Sequence, residues 1–317
     1  MTLQYNESSR NKVRLLIKQI FLEKPNHQFT NTQIQKILFK LKLSLKDKYP
    51  DYPVYEFMPS YWYYEGPFSP PVSDGISTMV LSKQLKPSKY RGRWKLAEGT
   101  DHANHGLEPL VVNELRSILK PFNSWADFDR FGEQIYQNAP SKFMPLYKYG
   151  YLARLRKFIR KMGRGQIPLS TDFLSESEDI LYESERNIPK KEDFSQFKRF
   201  FSSFVTDAVT VFDHMQDNWN YDLLEETHIM SENVWKRFAE GIRIQDNAHD
   251  PPFESDKQGW RDIFSTRQEE LRPLLNDFTL KVLARTESGE PRECDDATTR
   301  QIISAIANGY FSSEGFR

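Results

Sequence analysis

Apolar residues recur at helical spacing from the start of the chain. Residues 11–22 place Val13, Leu16, Ile17 and Ile20 three and four apart, which predicts a helix with one buried face. After Pro25-Asn26 a second helix is predicted, capped by Thr30 or Asn31, with Ile34, Ile37, Leu38 and Leu41 inward. Three prolines mark residues 49–59 as loop or sheet edge. The aromatic run at 61–64 suits a short strand, Gly66-Pro67 a turn, and Ser69-Pro70-Pro71 the opening of a third helix with Val72, Ile76, Met79 and Val80 inside. Residues 84–86 and 93–97 read as a β-hairpin with Gly92 in its loop. Helix, helix, strand, helix, hairpin is the element order of a winged helix-turn-helix, with an insertion between its second and third helices.

Beyond the polar stretch 101–105 the pattern is helical. Residues 107–120 carry Leu110, Val111, Leu115, Ile118 and Leu119; residues 124–137 open at Ser124 and carry Trp125, Phe128, Phe131 and Ile135. Residues 147–164 are amphipathic, with Leu152, Leu155, Phe158, Ile159 and Met162 on one side. Arg154, Arg156, Lys157, Arg160, Lys161 and Arg164 fall on the other. Residues 165–191 are polar and acidic and read as a linker or mobile loop. A long helix follows, with Phe194, Phe197, Phe201, Phe204, Ala208, Val211, Phe212 and Met215 inward, a stripe expected to be core. Helices near 230–245, 258–284 and 295–310 complete a bundle. The fold expected is mainly α: a basic winged-helix-like N-terminal domain with a small β-hairpin (1–100), a basic helical connector (101–170) and an acidic α-helical domain (171–317).

Charge sharpens this division. The 317 residues hold 44 Lys+Arg and 44 Asp+Glu, but residues 1–170 carry 27 against 14 and residues 171–317 carry 17 against 30. A net of +13 suggests a polyanionic partner; the complementary reading is two halves that neutralise each other. The hairpin alone carries Lys83, Lys86, Lys89, Arg91, Arg93 and Lys95 with no acid between them, as a phosphate contact requires, although lysines also protect sheet edges. The basic helix suits nucleic acid, an anionic membrane, or the acidic half. No stretch is long and apolar enough to span a bilayer, the N-terminus lacks a signal-peptide pattern, and the one cysteine, Cys294, forms neither an internal disulfide nor a thiolate cage. A cytoplasmic location is expected.

Two segments resemble a known family. Residues 29–39 (FTNTQIQKILF) and 63–72 (YYEGPFSPPV) look like the helix and the following turn of the SocA-like, or Panacea, antitoxin domain. The resemblance covers about residues 10–97. It implies the roles of motif residues for Gln35, Lys36, Gly66, Pro67 and Phe68, and membership of toxin–antitoxin or phage-defence loci, where such domains neutralise toxins by direct binding. Glu65 before the glycine and the proline-rich 50–59 insertion depart from the pattern, and the C-terminal half matches no effector.

Catalytic patterns are fragmentary. There is no phosphate-binding glycine loop, HExxH, GxSxG or cysteine pair. Asp101, His102 and His105 form a weak metal pattern, and Asp213, His214 and Asp217 share a helix whose acidic face is better read as solvated. Arg243 and His249 resemble the Arg-x(4–6)-His pattern of HEPN ribonucleases, against which stands an ordinary helix C-terminus favouring His. The expectation is therefore a non-enzymatic binding protein: a nucleic-acid-binding regulator or antitoxin-like component of a toxin–antitoxin or antiviral-defence locus. It needs no cofactor or metal. Its partners would be duplex DNA or another nucleic acid and a protein toxin, with a homodimer left open and no membrane. The alternatives are a toxin-neutralising module without DNA binding and a helical ribonuclease using Arg243 and His249.

Overall fold

The computed structural model describes residues 7–99, 106–122, 124–164 and 172–286. It is mainly helical, with a few short antiparallel strands. Two compact units emerge: Met1–Pro140 with Ile242–Trp260, and Ser141–Gly241 with Arg261–Arg317. This division differs from the expected boundaries at 100 and 170. It also redistributes charge, because the acid-free stretch 141–170 joins the second unit and four acids in 242–260 join the first. Unit 1 then holds 21 Lys+Arg against 18 Asp+Glu, and unit 2 holds 23 against 26. The opposition of +13 and −13 along the sequence becomes +3 and −3 between the residue ranges of the two units.

Unit 1 opens with α1 (Glu7–Glu23), β1 (Phe29–Thr30) and α2 (Asn31–Lys48). Thr30 caps α2: its Oγ1 accepts from Gln33 N at 3.2 Å, while its own N–H donates to Gln33 Oε1 at 2.9 Å. Next come α3 (Val54–Phe57), β2 (Tyr61–Tyr63), β3 (Gly66–Phe68), α4 (Pro70–Leu81), β4 (Leu85–Pro87) and β5 (Arg93–Leu96). Strand β5 lies between β1 and β4, antiparallel to both, with Leu85 opposite Leu96 and Phe29 opposite Trp94. Three helices and a sheet of this order make the winged-helix-like arrangement. Val13, Leu16, Ile17 and Ile20 are buried, as are Ile34, Ile37, Leu38, Leu41, Val72, Ile76 and Met79. Gly75 lets α4 close on α1, since a Cβ there would stand 2.9 Å from Ile17 Cδ1. Helices α5 (Pro109–Leu119) and α6 (Trp125–Tyr136) complete the unit's N-terminal part. The Trp125 side chain lies outside the described residues.

Two local expectations do not hold in the structure. Residues 54–57 form a helical turn, because Pro53 occupies its N-cap, where no helical N–H is needed. Gly66-Pro67 is not a turn into α4 but the first two residues of β3. The turn is Tyr64-Glu65, and Tyr63 pairs with Gly66. Gly66 has φ +111, a conformation that favours glycine, and a Cβ there would also crowd the Tyr136 ring at 3.2 Å.

The segment 242–260 returns to this hairpin. Trp62 N donates to Ala248 O at 2.8 Å, and Asp250 N donates to Ser60 O at 3.0 Å. Beneath them Lys42, 3% exposed, donates to Asp250 Oδ2 at 2.6 Å and to Ser60 Oγ. Ser60 N donates to the same carboxylate oxygen at 2.6 Å. Burial pulls Lys42 below the usual lysine range, and Asp250 opposes that shift. A buried charge of this kind persists only with a partner.

Unit 2 contains α7 (Phe143–Pro145), a π-helical stretch Leu146–Leu152, α8 (Ala153–Met162), α9 (Asp172–Arg186), α10 (Ser195–Asp217) and α11 (Tyr221–Ile242). Then follow α12 (Lys257–Glu269) and α13 (Leu271–Thr286). Phe194, Phe197, Phe201, Phe204, Ala208, Val211, Phe212 and Met215 are all buried, as the stripe predicts. The expected helix at 147–164 begins as a π-helix. Its slower winding keeps both Tyr147 and Tyr151 aimed at Ser231, with Oη contacts of 3.0 Å to Ser231 O and 2.9 Å to Ser231 Oγ. The expected linker 165–191 contains α9, whose inner face is Leu174, Ser177, Leu181 and Ser184. The expected helix 258–284 divides after Glu269, which places Pro273 in the first turn of α13, where proline is tolerated. The expected helix 295–310, and Cys294, lie outside the described residues.

Between α10 and α13, Thr279 Oγ1 donates to Asp207 Oδ2 at 2.6 Å. Burial pushes the Asp207 carboxyl up to about 6 against that hydrogen bond. Glu240, fully buried, is by contrast answered by Arg237 Nη1 at 2.7 Å and by Arg267.

Candidate nucleic-acid interface

The β4–β5 hairpin is the wing of unit 1, and its tip is built from local bonds. Ser88 N donates to Arg93 O at 2.9 Å, Tyr90 N donates to Ser88 Oγ at 3.0 Å, and Gly92 turns the chain at φ +74. Tyr90 stands 51% exposed at this tip, with Lys89 Nζ 5.1 Å and the Arg93 guanidinium 5.3 Å from its ring centre. Such cation–π contacts hold the ring beside the two cations without neutralising their charges. Lys83, at φ 59 just beyond α4, is exposed, as are Lys89 and Arg91. Among the described residues these three have no ion-pair partner.

The other wing cations are less available. Lys86 and Lys95 sit directly opposite each other across the ladder, a repulsive pair. Glu98, just past β5, relieves it by accepting from Lys86 Nζ at 2.8 Å. That hydrogen bond, together with the charges of Lys86 and Lys95, holds the Glu98 carboxyl below its usual range. Trp94 Nε1 donates to Asn31 Oδ1 at 2.6 Å, fixing the base of the wing to the start of α2. The outward face of α4 shows Asp74, Ser77, Thr78 and Leu81, with no cation.

In unit 2, α8 and the turn that follows it, which holds Arg164, carry the second set. Leu155, Phe158 and Ile159 are buried, and all six cations are exposed. Arg154 pairs with Glu176, and Arg156 approaches Glu232 at 3.8 Å. The helix thus lies partly against acids of its own unit, as one of the sequence readings has it. Burial lowers the pKa of His228 on α11; Arg156 and Arg160 add to that shift, while Glu232 and Glu225 oppose it. Lys157, Arg160, Lys161 and Arg164 have no ion-pair partner among the described residues.

The motif residues of the family resemblance act as framework. The Gln35 amide clamps the Ser69 backbone, donating to Ser69 O at 3.0 Å and accepting from Ser69 N at 2.9 Å. Lys36 Nζ sits 5.5 Å from the Tyr136 ring centre. Gln35, Gly66, Pro67 and Phe68 also line a cavity of about 210 Å³ with Tyr63 and Tyr64.

Arg243 and His249 do come together, but not as an accessible acid–base pair. The Arg243 guanidinium lies between the rings of Tyr63 and Trp260, at 5.2 and 5.0 Å. The His249 side chain is 2% exposed; its Nδ1 is 2.8 Å from Arg243 O and its Nε2 2.8 Å from Glu254 Oε2. Both ring nitrogens are engaged, so the geometry describes an anchor for the returning segment. The sequence signal for that anchoring was present only as the aromatic residues themselves. Asp101, His102 and His105 lie outside the described residues. Among the described residues no group of three potential ligands could hold a metal ion, Asp213 and His214 included, and no helix is long and apolar enough to cross a membrane. No family model, curated protein or solved structure matches this chain.

Proposed function

We propose that this protein is a non-enzymatic binding protein that grips a nucleic-acid backbone with the wing of unit 1. The observation that carries the reading is the exposed tip, with Lys89 and Arg91 free of ion pairs beside the exposed Tyr90 on a sheet of winged-helix order, and Lys83 exposed at the base of the same hairpin. An α4 without cations fits contacts made through phosphates more than through base edges. In this reading the protein serves as a regulator or antitoxin-like component of a toxin–antitoxin or defence locus, as the resemblance implies.

A salt-titrated duplex-binding assay tests it. Affinity should fall by about 0.9 log units per neutralised phosphate for each log unit of salt. Lys89→Glu with Arg91→Glu should weaken all duplex sequences alike and flatten that slope by about two contacts' worth. Absence of duplex binding at low salt would refute the reading and leave a toxin-neutralising module without DNA binding.

A further inference from the structure

His249 sits at the middle of the segment that returns to unit 1. Its neighbours Ala248 and Asp250 hold the backbone of Trp62 and Ser60, and its own bridge partner is Tyr61. The ring's two contacts fix its proton count. Nδ1 stands 2.8 Å from Arg243 O, a carbonyl that can only accept, so Nδ1 carries a proton. Nε2 stands 2.8 Å from Glu254 Oε2. Hydrogen bonds from His249 and Lys257 hold the Glu254 carboxyl below its usual range, so this oxygen accepts as well, and Nε2 must also donate. A neutral imidazole has one N–H and makes one of these contacts; only the imidazolium makes both.

The charges around the ring all come from unit 1. Lys257, at the start of α12, donates to Glu254 Oε1 at 3.0 Å and pairs with Asp246. The Arg243 guanidinium lies 5.0 Å from the Trp260 ring, whose other neighbour is the His249 ring at 5.6 Å. From β2, Tyr61 meets the Phe253 and Trp260 rings, and burial pushes its phenol up, so it stays neutral; Asp256 adds to that shift and Arg243 opposes it. Asp250 is taken by Lys42 of α2. Glu254 and Asp246 thus favour charge on the ring, and Lys257 and Arg243 oppose it. The His249 side chain is 2% exposed, leaving water little access to replace a lost partner, whereas Glu254, 63% exposed, can turn away into solvent.

We infer that His249 is a protonation-dependent clasp on the segment that closes unit 1. While the ring is charged it ties Arg243 O to Glu254, and the closure has its full set of contacts. As pH rises and the ring gives up one proton, Nδ1–H stays with Arg243 O. Nε2 then turns a lone pair on the carboxylate, and Glu254 lets go. The clasp therefore holds in mild acid and loosens in mild alkali. Tyr63, against which Arg243 rests, also lines the cavity at Gln35 and Phe68, so the clasp governs how firmly that wall is backed.

Amide hydrogen exchange on the full chain tests it, corrected for intrinsic rates at pH 5.5 and pH 8 and read at the Trp62 and Asp250 amides, which bridge β2 and the segment. Protection of both should fall by about 3- to 30-fold between the two conditions, as for loss of one charge-assisted hydrogen bond with a partly solvated partner. Glu254→Gln should flatten that response, because an amide can accept from the charged ring or donate to the neutral one. His249→Asn, which keeps a donor for Arg243 O but does not titrate, should remove it. Glu254 is exposed, so its variant carries the test even if His249→Asn does not fold. Protection unchanged between pH 5.5 and 8 would overturn the inference. So would a fall that persists undiminished in Glu254→Gln, which would place the titrating group elsewhere, as at the adjoining Lys42–Asp250 pair.

Discussion

Substituting Asp207 by asparagine should stabilise unit 2 above neutral pH. Burial raises this carboxyl from 3.8 to about 6 in the folded state. At about 1.4 kcal/mol per unit, its ionised form costs the fold about 3 kcal/mol. The folded state binds the proton more tightly than the unfolded one. Stability therefore rises as pH falls through 6 towards 3.8, and the full cost applies above 6. Between pH 8 and pH 5 the wild-type chain should gain about 1.4 kcal/mol from this group. Asparagine keeps an acceptor for Thr279 and carries no charge, so the variant should lack that gain and exceed wild type by about 3 kcal/mol at pH 8. Amide hydrogen exchange of α10 and α13, corrected for intrinsic rates at pH 5 and 8, reads the difference locally. Equal protection of the two proteins at pH 8 would refute the reasoning, as would an identical pH dependence in both.

Asp250→Ala should destabilise unit 1 by about 3–5 kcal/mol, because it strands buried Lys42 without its counter-charge; denaturant unfolding followed by exchange in α2 and β2 measures it, and a loss under about 1 kcal/mol would contradict that account. Phe204→Ala removes a fully buried ring packed against Phe201 and Phe278, and should cost about 3–5 kcal/mol in thermal or urea unfolding of unit 2. A near-neutral result would mean that the stripe is not tightly packed.

Much of the fold was legible because its signals are local. Thr30 followed by Gln33 announces a capped helix, and the phenylalanines from 194 to 212 repeat at helical spacing whatever else surrounds them. The wing was legible because Gly92 separates two short runs of strand-forming residues. Helix α9 was missed because two of its four inner residues are serines, Ser177 and Ser184, while residues 172–186 carry six acids. The β2–β3 hairpin was misread because three-residue strands are too short to establish an alternation. Of the candidate interface, the identity of the wing and α8 cations could be read directly, but not which remain unpaired. Glu98, Glu176 and Glu232 decide that, and the last two lie far along the chain from the cations they meet. The unit boundaries were illegible for the same reason: Lys42 and Asp250 are 208 residues apart, and nothing around either advertises the other.

The pairing of Lys42 with Asp250 sets a constraint on biosynthesis. Unit 1 is not complete when its first 140 residues leave the ribosome, since Ile242–Trp260 still has to be made. At about 5–20 residues per second, the nascent winged-helix part waits about 6–24 s for the strand partner and the carboxylate that close it. Throughout that interval a lysine destined for the interior has no counter-ion, and the open edge of β2 can pair with other chains. A fragment ending at residue 140 is permanently in that condition, so it should expose aggregation-prone surface and recruit chaperones in a way the full-length chain does only while it is being made.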